Sequence, residues 1–178
     1  MADILDRLRG GDRRSTGNAD AVAEEIVANP ELFNAVFSGL YHDDRVLRMR
    51  AADAVEKASQ KYPELLSGYS SKIVSILESV DQQEVCWHMA QISPRLDLTK
   101  SEEKKIIELL KRLLLHKSKI VRVSAMDAMT CFAERDETIV DEVKEIIKEQ
   151  IKSGIPSILS RGRKLLQRLE RNVKNGQT

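Results

Sequence analysis

The sequence predicts an all-α fold, a short α-α solenoid of about four antiparallel helix pairs, and three observations predict it. The stretches Val46-Leu47-Arg48-Met49-Arg50-Ala51-Ala52-Asp53-Ala54, Val85-Cys86-Trp87-His88-Met89-Ala90-Gln91-Ile92 and Ile120-Val121-Arg122-Val123-Ser124-Ala125-Met126-Asp127-Ala128 can be laid over one another. This makes Asp53, Gln91 and Asp127 equivalent at spacings of 38 and 36 residues, a period that marks stacked helical units. Between these stretches apolar residues recur at three- and four-residue steps, the helical period. The 178 residues are 42% hydrophobic and 32% charged, a balance that supports ordered, soluble structure over most of the chain.

Taken in order, residues 1–17 form a flexible lead-in: Ile4, Leu5 and Leu8 allow one or two amphipathic turns before Gly10-Gly11 and Arg13-Arg14 break the pattern. Asn18 caps a helix with Val22, Ile26 and Val27 on its apolar face, and Pro30 opens the next at a favoured first position. Leu32, Phe33, Val36, Phe37 and Leu40 make that second helix, and His42-Asp43-Asp44 turns into a third carrying Leu47, Ala51, Ala54, Val55 and Ala58. Pro63 ends it, because the residue before proline is pushed out of helical geometry. The cycle repeats with Ile73 to Val80 and Val85 to Ile92, then from Thr99 or Ser101 with Ile106 to Leu115 and Ile120 to Phe132. A last pair runs through Ile139 to Ile151 and Ile158 to Leu169, so that 18–174 reads as one repeat domain and 175–178 as a disordered tail.

Charge and cysteine usage bound the function. Lys plus Arg number 29 against 28 acids, a net charge of +1 that supplies no global attraction to nucleic acid or anionic membrane. No apolar run approaches the roughly 18 residues of a membrane span, and the N-terminal residues lack a signal-peptide core. Cys86 and Cys131 stand apart without metal or disulfide spacing, so reduced thiols and a cytoplasmic location are expected.

Leu40-Tyr41-His42-Asp43-Asp44 followed by Leu47-Arg48 and Ala51-Ala52, its echo in Ile120-Val121-Arg122 and Ala125-Met126, and the connector Tyr62-Pro63-Glu64-Leu65-Leu66 resemble the HEAT-repeat superhelices and their armadillo-like relatives. The resemblance covers about 20–170. It implies right-handed stacking of helix pairs, with the second helix of each pair lining a concave groove that receives a protein partner. One branch of that superfamily, deoxyhypusine hydroxylase, binds iron through paired His-Glu steps. Here His42 precedes Asp43, His88 precedes Met89 and His116 precedes Lys117, so neither metal ligands nor a cofactor are expected.

If Leu47, Ala51, Ala54 and Ala58 face the core, the opposite row of that helix is Arg50, Asp53, Lys57 and Gln60. Carrying the register forward assigns His88, Gln91 and Arg95, then Ser124, Asp127 and Cys131, then Arg161, Lys164 and Arg168 to a partner-binding surface, with Trp87 on its flank. Packing between helices is the favoured reading of Trp87 and a partner anchor the alternative. His88 reads as a solvated groove residue, and His42 and His116 as turn residues bonded to backbone or water. Asp53 and Asp127, with Arg48 and Arg122 nearby, read as a polar ladder. Ala51, Ala54, Ala125, Ala128 and Gly162 are small because neighbouring helices approach closely there.

Two function classes follow. The favoured one is a non-enzymatic protein-interaction or scaffold module, with Arg50, Trp87, His88, Gln91, Arg95, Asp127, Arg161, Lys164 and Arg168 contacting a protein or peptide. The second is a nucleic-acid-binding protein, as in the alkylpurine glycosylase branch of HEAT-like proteins, using the bases of 161–174. Aromatic residues at 4% leave few stacking platforms for that role, and the acidic stretch 134–150, with seven acids and three bases, adjoins the basic helix.

Overall fold

In the computed structural model the described residues are 4–10 and 15–175, with side chains described through Arg171. The tail at 176–178, the break at 11–14 and the side chain of Lys174 lie outside them. The described residues form α-helices and 3₁₀ turns, with no strand among them. The chain divides into two compact units, Met1–Glu102 and Glu103–Thr178, where the periodicity alone predicts a single repeat domain over 18–174. No helix among the described residues is long and apolar enough to cross a membrane.

The first unit contains α1 (Ala19–Ala28), α2 (Phe33–Ser38), α3 (Arg45–Lys61), α4 (Ser70–Ser79) and α5 (Gln83–Ile92). The helix expected over 32–40 is shorter, because its ends tighten into 3₁₀ turns at Pro30–Leu32 and Gly39–Tyr41. Proline lacks a donor there, and glycine is the weakest non-proline helix former. Asp44 starts α3 by accepting from the backbone N–H of Val46 at 2.8 Å and of Leu47 at 3.4 Å. Pro63 then ends α3, with Tyr62 extended at φ −135°.

Helix α3 is the hub of this unit, packing against α1, α2 and α5 and against the flanking 3₁₀ turns. Leu47, Ala51, Ala54, Val55 and Ala58 are fully buried, as their spacing predicts. Contact on several sides also buries Ala52, Arg50, Asp53, Glu56 and Ser59, so the row opposite the apolar one is not a solvated face. It opens only towards its end, where Lys57 is half-buried and Gln60 exposed. Beside α3, Phe37 is 1% exposed. Its ring lies 4.5 Å from Tyr69 and 6.1 Å from Phe33, and Lys72 Nζ stands 4.7 Å above Tyr69.

The described residues of the lead-in pack against α1 and α3. Leu8 is fully buried, Arg7 pairs with Glu25, and the Asn18 amide donates to the Arg7 carbonyl at 3.0 Å instead of capping α1. The Arg50 guanidinium gathers the carbonyls of Leu8 at 3.0 Å, Arg9 at 3.3 Å and Gly10 from one side, and of Ser15 at 3.3 Å from its Nε. Gly17 closes this loop at φ +57°, where any Cβ would stand 2.7 Å from the guanidinium, so glycine is required twice over.

Helix α6 (Lys100–Leu113) runs across the division between the units. Its start is a reciprocal cap two residues earlier than the Ser101 alternative: Thr99 N–H donates to the Glu102 carboxylate at 2.8 Å, and Glu102 N–H to Thr99 Oγ1 at 3.3 Å. The second unit continues with α7 (Lys119–Ala133), α8 (Val140–Ile151) and α9 (Pro156–Asn175), and α7, α8 and α9 pack pairwise. Val121, Ala125, Ala128 and Phe132 of α7 face this core, with Ile158, Leu165 and Leu169 of α9. Gly162 lets α9 approach α8: a Cβ there would meet Ile151 Cγ1 at 2.7 Å. Ala125 has no exposed surface, so Ala125→Leu is expected to overpack the α7 seam and lower stability by about 1–3 kcal/mol. An unchanged urea midpoint would contradict that packing.

Two devices recur along the chain, with their histidines and their arginines each 74 residues apart. His42 Nδ1 accepts from Asp44 N–H at 2.9 Å, and His116 Nδ1 from Ser118 N–H at 3.0 Å, so both imidazoles serve the turn. Arg48 Nε donates to Gln82 Oε1 at 2.9 Å, and Arg122 Nε to Gln150 Oε1 at 3.0 Å. Each arginine thus locks its helix to the following helix pair, rather than laddering with Asp53 or Asp127.

Candidate functional site

The first unit holds a partly open cleft of about 290 Å³. Helix α3 supplies Met49, Arg50 and Asp53, spaced to share a face, and α5 supplies Glu84, Trp87 and His88 at the i, i+3, i+4 spacing of one helical face. Ser15 and Thr16 form the remaining wall, held there because Arg50 grips the Ser15 carbonyl. Trp87 is half-buried, with its ring centroid 5.1 Å from that of His88.

Asp53 is only 7% exposed. Its Oδ2 accepts from Lys57 at 2.9 Å, while Oδ1 lies 3.8 Å from His88 Nε2, beyond hydrogen-bond reach. His88 is equally buried, and its Nδ1 is the one enclosed side-chain polar atom without a hydrogen-bond partner among the described residues. Burial pushes the imidazole below its ordinary pKa despite the opposing pull of Asp53 and Glu56, so the ring is neutral at pH 7. Burial raises the Glu84 carboxyl, but hydrogen bonds from its own N–H, Gln83 and Gln82 and the charge of Arg45 outweigh this and keep it ionised below the usual range.

The residues expected on a partner surface are therefore sorted by what each touches. Trp87 and His88 share the cleft with Arg50, but His88 is buried rather than solvated and Arg50 is consumed by main-chain carbonyls. Gln91 is exposed on the same face of α5, one turn beyond His88. Arg95 turns inward: Nη2 reaches Glu56 Oε1 at 2.5 Å, and Nη1 the Glu56 carbonyl at 3.0 Å and Ser59 Oγ at 3.1 Å.

In the second unit Arg161 grips Asp127 through Nε at 2.8 Å and Nη2 at 2.5 Å, and Arg168 holds both oxygens of Glu134. These pairs link α9 to α7. Lys164 is exposed and enters no ion pair among the described residues. The basic run on α9 is thus partly neutralised by α7 carboxylates that helical spacing within one helix does not reveal.

Ser15, Thr16, Met49 and Glu84 are cleft residues that the register along the second helices does not select. Glu84 was legible, since 84, 87, 88 and 91 fall on one helical face. Ser15 and Thr16 carried no sequence signal, because their position depends on the arginine 35 residues away.

Serine, histidine and aspartate meet in this wall without forming a nucleophilic relay. Ser15 Oγ accepts from Gly17 N–H at 3.0 Å, and no hydrogen bond joins it to His88 among the described residues. No group of three or more His, Cys, Asp or Glu side chains among the described residues is placed to hold a metal ion. Comparison with models of known protein families, with curated proteins and with solved structures finds no match.

Proposed function

We propose that the chain is a non-enzymatic protein-binding module of the HEAT-like kind, and that it takes its partner on the first unit through the Trp87 cleft. The half-exposed indole beside an open cleft carries this reading, since aromatic side chains in partly desolvated hollows are the residues on which interface energy concentrates. At about 290 Å³ the cleft sits at the lower edge of the range for small-molecule sites, a size suited to an anchoring side chain. The HEAT-like assignment draws support from the packing of α3 against α5 and of α7 against α9, and from the recurring histidine turn and Arg-Gln lock. A cytoplasmic location belongs to the same proposal and is supported by Cys86 and Cys131, which form no disulfide.

Nucleic acid is the weaker reading, because Arg161 and Arg168 already satisfy Asp127 and Glu134 and offer phosphates less net charge than the α9 sequence suggests. Affinity capture from lysate with wild type and Trp87→Ala tests the proposal. A partner should be retained by wild type and weakened by about 2 kcal/mol or more in the variant, with unchanged circular dichroism. Captured proteins that all survive the change, or DNA or RNA binding that falls steeply with salt, would overturn it.

A further inference from the structure

We infer that the side chain received by the Trp87 cleft is an arginine of a partner protein, its guanidinium stacked on the indole and donating to the Asp53 and Glu84 carboxylates. This rests on the protein-binding reading above and names the chemistry of the anchor. Three observations carry it.

The first is an acceptor left open in a desolvated place. Asp53, a residue of the cleft wall, is more than nine-tenths buried, yet only Oδ2 is engaged, by Lys57; Oδ1 accepts no hydrogen bond among the described residues. A carboxylate oxygen with little room for water and no protein donor is open to a donor from outside, and a cationic one satisfies it best.

The second is the balance of charge. Among the described residues the wall contains two carboxylates, Asp53 and Glu84, and one cation, Arg50, whose Nη1 and Nε donate to the carbonyls of Leu8, Arg9, Gly10 and Ser15. With His88 neutral and Lys57 bound to the other oxygen of Asp53, the hydrogen-bonding capacity left on the described lining is carboxylate acceptors, which suit a cationic donor and not a phosphate or carboxylate.

The third is the indole. A cation over tryptophan is attracted by the negative face of the ring, and a guanidinium is favoured over an ammonium because it is planar, weakly hydrated and forked. The cleft volume of about 290 Å³ admits a side chain of that length.

Trp87 is the only tryptophan, so its emission reports occupancy directly. The full chain would be titrated with acetyl-Gly-Arg-Gly-amide and with the same peptide carrying citrulline, lysine or glutamate at the centre. The arginine peptide should shift the emission saturably in the millimolar range, and citrulline, equal in shape but uncharged, should bind about tenfold more weakly. Glu84→Gln, a half-buried rim change that leaves the core intact, should weaken the arginine peptide about threefold to tenfold, and Asp53→Asn should do so at least as strongly provided its circular dichroism is native.

Equal binding of arginine and citrulline, or preference for the glutamate peptide, would overturn the arginine assignment while leaving protein binding at this cleft in place. An arginine peptide silent to its solubility limit, beside a lysate partner that depends on Trp87, would do the same. Silence of every peptide together with no Trp87-dependent partner would remove both readings.

Discussion

Replacing Arg50 with alanine is expected to destabilise the first unit by about 2–4 kcal/mol and to release the chain ahead of α1. Arg50 is 3% exposed, and its guanidinium draws together the carbonyls of Leu8, Arg9, Gly10 and Ser15, which have no helical partners. Each hydrogen bond to a charged group contributes about 1.5–3 kcal/mol where it is shielded from water, and less where the acceptor regains solvent. Arg9, Gly10 and Ser15 are exposed residues whose carbonyls would rehydrate, which holds the expected loss below the simple sum. Lysine at the same position retains charge but not the fork that spans two stretches of backbone, so Arg50→Lys should recover only part of the loss.

Urea unfolding would measure the stability change, and trypsin cleavage at Arg7 and Arg9 would report the release. A shift within about 0.5 kcal/mol, the range of ordinary surface substitutions, together with unchanged cleavage, would show that Arg50 does not hold the lead-in. Because Ser15 and Thr16 wall the Trp87 cleft, the same variant should lose partner binding along with stability.

The second large effect is expected at Phe37. Its ring is 1% exposed and contacts Phe33, Tyr69 and Tyr41 at centroid distances of 6.1, 4.5 and 6.3 Å. Phe37→Ala removes that buried area and leaves a cavity, a change that costs about 3–5 kcal/mol, to which the lost aromatic pairs contribute. Lys72, 4.7 Å above Tyr69 and 5.9 Å above Phe37, would lose one of its two rings. A fall in the urea midpoint without a change in slope is the expected readout. A loss below about 1 kcal/mol would mean that the site collapses around the missing ring, or that the cluster contributes little to the fold.

Much of the helical layout is legible in the sequence because it depends on neighbours three or four residues away. Leu47, Ala51, Ala54 and Ala58 announce the buried face of α3, Asp44 and Pro63 bracket it, and Gly162 announces the close approach of α9 to α8. The histidine turns are local in the same sense, each closing on an N–H two residues ahead.

The site is legible only in part. Trp87 and His88 are marked by type and register, and Glu84 by its place on the same helical face, yet their surroundings come from α3 and the lead-in. Residue order alone specifies the helices and the apolar face of each, because both depend on neighbours one turn away. Tertiary structure alone decided which polar residues remain available. Helix α3 is covered on several sides, so Arg50 and Asp53 are buried. Arg95, Arg161 and Arg168 find carboxylates 34 to 39 residues away. A helical period reports direction around one axis, whereas desolvation and ion pairing depend on what the neighbouring axes bring to that side, and that is set only when the helices pack.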